Sequence, residues 1–142
     1  MIVEPSLDEI LVTPLKQIDT PGGDIFHGIK AMDAGFSGFG EVYFSWINFQ
    51  AVKAWKQHRR MTMNLIVPVG NVRFAFYQES EDIFRTETIG QDNYCRLTVP
   101  PKIWFGFSGV FMPKSLVTNV ANLSHDPHEV LRKDLNDISY LW

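Results

Sequence analysis

Two breaks, a Gly70-Asn71 pair and the run Pro100-Pro101, cut the apolar middle of this chain into pieces too short for helices. They constrain the fold more than any other feature, because proline has no N–H to give a ladder and glycine supplies the positive φ of tight turns. Residues 65–69 and 72–77 flank Gly70-Asn71 as two apolar runs, an arrangement that predicts a two-residue β-hairpin. Residues 96–99 and 103–107 read as two more strands on either side of Pro100-Pro101-Lys102, and residues 115–122 as another. Between positions 41 and 46, Val42, Phe44 and Trp46 alternate with Glu41, Tyr43 and Ser45, which predicts a strand with a buried apolar face and a more polar opposite face. A long amphipathic helix is nowhere suggested, so the expected fold class is all-β, a sandwich or barrel. The charged tail, residues 126–137, offers one helical turn, opened by Asp126-Pro127.

At 142 residues, 45% of them hydrophobic, the chain fits one domain spanning 1–142, with residues 1–40 as an N-terminal arm or strand segment. A single cysteine, Cys95, allows no internal disulfide and points to a reducing compartment. The opening Met1-Ile2-Val3-Glu4-Pro5 lacks the basic and apolar regions of a secretion signal, and no apolar run approaches the ~20 residues of a membrane span. A cytoplasmic protein with no membrane partner is therefore expected. A formal net charge of -3 argues against nucleic acid as a partner, since the phosphate backbone is gripped by clustered Lys and Arg. Yet four of the 13 Lys and Arg residues lie between Lys53 and Arg60, a concentration suited to an anionic ligand such as a nucleotide diphosphate or, equally, to a solvated loop.

Three segments, in order, resemble a known family. Lys53-Ala54-Trp55-Lys56-Gln57-His58 is similar to the strand end that carries a catalytic histidine in the dTDP-4-dehydrorhamnose 3,5-epimerases. The run from Val99 through Pro100-Pro101-Lys102 to Phe107 resembles their Ile-Pro-x-Gly-x-x-His-Gly-Phe segment. Asn122 to Pro127, followed by Glu129, Arg132, Asp134 and Trp142, resembles their C-terminal pattern. The sugar-nucleotide 3,4-ketoisomerases are similar too, and His58 matches the second histidine of their His-x-His pair. The resemblance implies a cupin barrel, that is a double-stranded β-helix or jelly roll, without cofactor, acting as a homodimer on a nucleotide sugar in bacterial surface-polysaccharide or lipopolysaccharide biosynthesis. Three positions depart from the pattern: Lys56 stands at the catalytic histidine, Phe105 at a second active-site histidine, and Ser124 or His125 at the catalytic tyrosine.

Isomerisation beside a ketone needs a base to remove the neighbouring proton and an acid to protonate the enolate, both active near neutral pH. His58 is the natural base. Lys56, two residues away and so on the same face of a strand, can share the step if Lys53, Arg59 and Arg60 depress its pKa; otherwise it pairs with phosphate or stands on a solvated strand end. Lys53, Arg59 and Arg60 are the expected diphosphate ligands, and Tyr43, Trp55, Tyr77, Trp104 and Phe105 the rings expected to line a sugar or base pocket, although most of the 19 aromatic side chains must be core. From the resemblance, His125 is a further catalytic candidate and Asp134 the carboxylate that orients His58. No metal is expected, because Lys56 and Phe105 occupy two of the places where a metal-binding cupin has its ligands. A catalytically silent barrel that binds a sugar nucleotide or a partner enzyme is the alternative.

Overall fold

The computed structural model describes residues 4–142; Met1, Ile2 and Val3, which open the N-terminal arm, lie outside the described residues. The strands are β1 (Leu11–Pro14), β2 (Gln17–Ile18), β3 (Ile25–Phe26), β4 (Glu41–Asn48), β5 (Val52–His58), β6 (Met63–Val69), β7 (Asn71–Gln78), β8 (Ile83–Gly90), β9 (Cys95–Val99), β10 (Trp104–Gly109), β11 (Lys114–Ala121) and β12 (Val130–Arg132). Two five-stranded antiparallel sheets face each other, one in the order β1-β9-β6-β11-β4 and the other β12-β5-β10-β7-β8, with β2 and β3 forming a small separate ribbon. The all-β class expected from the sequence is the class observed, and this pair of sheets is a cupin barrel.

The chain does turn at Gly70, but the expected hairpin does not form, because β6 pairs with β9 and β11 while β7 pairs with β8 and β10. Gly70 is a corner at which the chain crosses from one sheet to the other. Its φ of +84° and the Ser115 side chain, into which a Cβ would run, both require glycine there. With no partner strand opposite, the corner amides are satisfied by side chains: Gln91 Oε1 accepts from the Gly70 N–H at 3.0 Å and Ser115 Oγ from the Asn71 N–H at 3.1 Å. Pro100-Pro101 likewise lies on a passage between sheets, from β9 to β10. A hairpin does join β7 to β8, with Gln78 opposite Ile83.

Two apolar clusters stabilise this frame. Inside the barrel, Leu65 and Val67 of β6, Leu97 and Val99 of β9, and Val72, Phe74 and Phe76 of β7 are fully or almost fully buried against one another. On the far side of the second sheet, Trp55, Ala75, Trp104 and Ile138 form a second cluster, covered by Tyr140 and Trp142 of the C-terminal tail.

Strand β4 reverses the expected burial. Val42, Phe44 and Trp46 point away from the cavity, 42%, 64% and 47% exposed, while Glu41, Tyr43 and Ser45 line the cavity, with Tyr43 still 40% exposed. The reason is position: at this edge of the first sheet the inward side chains line a cavity that holds polar groups, and the outer face is left exposed among the described residues. The tail holds its expected turn as a short 3-10 helix, Pro127–Glu129, with Asp126 accepting from the His128 N–H at 3.0 Å, and then enters the second sheet as β12.

Candidate active site

Strand β5 sets the site. Its pairing with β10 slips by one residue, Phe105 lying opposite Lys56 and Gly106 opposite Ala54, so Trp55 is an extra residue in a bulge. Strict alternation would send Lys53 to the opposite face from Lys56 and His58. The bulge instead brings all three into the barrel, with Ala54 and Trp55 both left on the outer face against the second aromatic cluster. They line a cavity of about 370 Å³ between the sheets. Its apolar lining includes Met61, Met63, Leu65, Phe107 and Val117, and its polar groups are Glu41, Tyr43, Ser45 and Asn119 from the first sheet, Lys53, Lys56, His58 and Arg132 from the second, and His125 from a loop.

His58 is buried, its ring stacked on Phe105 with centroids 5.8 Å apart. Its Nδ1 lies 2.6 Å from Glu129 Oε1, while Glu129 Oε2 accepts the backbone N–H groups of Arg60 and Met61, each at 2.9 Å. Burial pushes the Glu129 pKa up, but the Arg60 amide, His58 and the Met61 amide together outweigh it and hold the carboxyl below the usual carboxylate range. An ionised Glu129 only accepts hydrogen bonds, so it fixes the proton on Nδ1 and leaves the Nε2 lone pair as the basic site. The short Pro127–Glu129 helix and the pairing of Val130 with His58 deliver the carboxylate to this point.

Tyr43 enters from the facing sheet. Its hydroxyl oxygen accepts from Asn119 Nδ2 at 3.0 Å, and the buried Asn119 in turn accepts the Asn64 N–H at 3.2 Å. Since Asn119 donates, the phenol keeps its own proton to give. Burial above all raises the Tyr43 pKa; Asn119 opposes this, and Glu41 and Glu129 add to it. Lys53 Nζ is held by Ser45 Oγ at 3.1 Å and the Trp46 carbonyl at 2.8 Å, tying β5 to β4. Lys56 has no such anchor, and its pKa is lowered by removal from bulk water, then by Arg132 and Lys53. Arg132 is its register partner on β12.

No family model matches the chain, and no curated protein sequence does. Solved structures do. The crystal structure of a dTDP sugar isomerase from Desulfovibrio desulfuricans G20 is 33% identical, covering 95% of this chain and 91% of that one with a TM-score of 0.91. The chain belongs to the dTDP-sugar isomerase family. The same fold is seen in the sugar 3,4-ketoisomerase QdtA from Thermoanaerobacterium thermosaccharolyticum in complex with TDP, at 17% identity, 90% coverage of each chain and a TM-score of 0.75. It is seen again in the dTDP-4-dehydrorhamnose 3,5-epimerase from Bacillus anthracis str. Ames with TDP and PPi bound, at 12% identity, covering 100% of this chain and 89% of that one with a TM-score of 0.81.

In this member of the dTDP-sugar isomerase family, the cavity brings together Lys56, His58, His125, Lys53, Tyr43 and Phe105 from among the residues singled out in the sequence. It excludes the others. Arg59 and Arg60 lie past the end of β5 on the outer surface, beside Lys102 and His128, with the Arg60 guanidinium 3.5 Å from Asp126. The cations that depress Lys56 are accordingly Arg132 and Lys53, not Arg59 and Arg60. Trp55, Tyr77 and Trp104 belong to the outer cluster: the Trp55 indole donates to the Leu135 carbonyl at 3.2 Å and the Tyr77 hydroxyl to Asp82 at 2.8 Å. Asp134 opens the Leu135–Asp137 turn on the surface, and the carboxylate that meets His58 is Glu129 instead.

Of the groups the sequence reasoning missed, Glu129 and Arg132 stood in the C-terminal segment that carried the resemblance, but nothing local distinguished Glu129 from Asp134. Asn119 carried a readable signal, a polar residue in phase with Val117 and Ala121 on the inward face of β11.

Proposed function

We propose that this protein is an epimerase or isomerase that moves a proton beside the ketone of a dTDP-linked 4-keto-6-deoxy sugar. The observation that carries the reading is the His58–Glu129 pair, which faces the Tyr43 phenol within one cavity. In this reading His58 Nε2 removes the proton next to the ketone and Glu129 stabilises the imidazolium that forms. Tyr43, kept protonated by its surroundings, supplies the proton that the enolate takes up. Arg132 and Lys53 offer positive charge to the diphosphate, a role the sequence assigned to Lys53 together with Arg59 and Arg60. The scheme needs no metal or cofactor.

The chemistry fits the assembly of bacterial surface polysaccharide, carried out in the cytoplasm. The uncovered apolar face of β4, with Val42, Phe44 and Trp46, supports a homodimer, since a face of that kind is covered in a stable assembly.

The test is incubation with dTDP-4-keto-6-deoxyglucose followed by NMR, with calorimetry of dTDP binding alongside. A new sugar nucleotide is the expected result. Tight dTDP binding with an unchanged sugar would replace this reading with that of a silent nucleotide-sugar binder. No binding of either compound would remove both.

A further inference from the structure

The proton-transfer scheme gives no part to Lys56. Lys56 projects from β5 between its register partners, Phe105 on β10 and Arg132 on β12, on the same wall as His58. Lys53 is held by two oxygens, whereas the Lys56 amine has no hydrogen-bond or ion-pair partner among the described residues. An unanchored lysine on the wall of a cavity open to solvent, on the same lining as a base and an acid, is placed to meet an entering substrate.

We propose that Lys56 is a covalent catalyst whose Nζ condenses with the sugar ketone to form an iminium; this rests on the ketosugar reading of the site. Such a lysine must reach the neutral state, and desolvation together with a neighbouring cation is how a lysine becomes a nucleophile toward carbonyls. Both influences act on Lys56, its partial removal from water first and then Arg132 and Lys53.

The steps balance with water as the only co-reactant. The neutral amine adds to the ketone carbon, a proton passes from nitrogen to the former ketone oxygen, and that hydroxyl takes a second proton from solvent and leaves as water, giving a protonated C=N bond. His58 Nε2 then takes the proton from a flanking carbon. The C–H electron pair becomes a C=C bond, and the C=N π pair moves onto nitrogen to give a neutral enamine. Tyr43, from the facing sheet, returns a proton to that carbon; the tyrosinate and imidazolium reset through solvent, and water adds to the iminium, expelling Lys56 as the neutral amine, restoring the ketone and returning to solvent the proton taken up when the iminium formed.

The route has a stereochemical consequence. Nitrogen stays on one carbon throughout, so the flanking carbon can be inverted but the carbonyl cannot travel along the ring, because that would leave the sugar attached to Lys56. The structure therefore assigns epimerisation, not a ketone shift, to this cavity.

The experiment is trapping with sodium cyanoborohydride, which reduces an iminium at neutral pH faster than a ketone. Wild-type protein with dTDP-4-keto-6-deoxyglucose is expected to gain one sugar nucleotide per chain, mapped by peptide mass spectrometry to Lys56 and suppressed by excess dTDP. Lys56→Arg, which keeps the charge but cannot form an imine, is expected to give no adduct and at least 100-fold less product, and the product itself to be an epimer. Turnover without an adduct, an adduct spread over surface lysines, turnover retained in Lys56→Arg, or a 3-keto product would each overturn the proposal and leave the proposed function standing. Neither turnover nor adduct would overturn both.

Discussion

The two faces of the second sheet are built from the same strands to opposite ends. On the inner face β5 presents Lys56 and His58, with like charges gathered and an amine left without a partner. On the outer face, one residue away, Trp55 is almost fully buried, 5.4 Å from Trp142 and 6.1 Å from Tyr140 between ring centroids, with its N–H satisfied. The outer face gathers apolar area, the inner face spends stability on electrostatic arrangement. The bulge at Trp55 makes this division possible, since it sets a large ring on one side and three titratable residues on the other within six positions.

If that contrast holds, damage to the outer face removes stability and damage to the inner face removes chemistry. The largest expected effect on folding is from Trp55→Ala, which empties a site packed on several rings and should cost about 3–5 kcal/mol in urea denaturation, as other buried Trp truncations do. A loss under about 1 kcal/mol would mean that the outer cluster is not a second core. A smaller effect of opposite sign is expected from Lys56→Met. Because the folded protein holds the Lys56 pKa below its unfolded value of about 10.4, the wild type is penalised while that lysine is charged, and the penalty fades as pH rises from the folded toward the unfolded value. Lys56→Met should thus raise the urea midpoint at neutral pH, with the gain shrinking as pH approaches about 10. The smallest effect is expected from Arg59→Ala, which lies outside the cavity and should leave KM for the sugar nucleotide within about twofold, whereas Arg132→Ala should raise it through lost ground-state binding.

The fold class was legible because its breaks are local: Gly70, Pro100 and Pro101 each stop a strand wherever that strand pairs. Pairing itself was not, since the turn chemistry of Gly70-Asn71 is the same for a hairpin and for a corner between sheets, and only distant partners such as Ser115 and Gln91 decide between them. The site was legible along one strand face, where two-residue spacing correctly put Lys56 beside His58. It failed where the period broke. The bulge put Ala54 beside Trp55 on the outer face and Lys53 in the cavity, and the end of β5 moved Arg59 and Arg60 onto the surface although they are close in sequence to His58. On β4 the apolar face was taken for the inner one because alternation shows that two faces differ, not which of them faces the cavity.

The account's central claim is that His58, oriented by Glu129, removes a proton beside a sugar ketone. It is tested most directly by solvent deuterium incorporation into dTDP-4-keto-6-deoxyglucose, followed by NMR for wild type, His58→Ala and Glu129→Gln. The account predicts label at a carbon flanking the ketone in the wild type and a rate about 10²- to 10⁴-fold lower in His58→Ala, the range that a positioned base contributes. It also predicts a clear loss in Glu129→Gln with the fold intact by circular dichroism. Exchange that proceeds undiminished in both variants would contradict it.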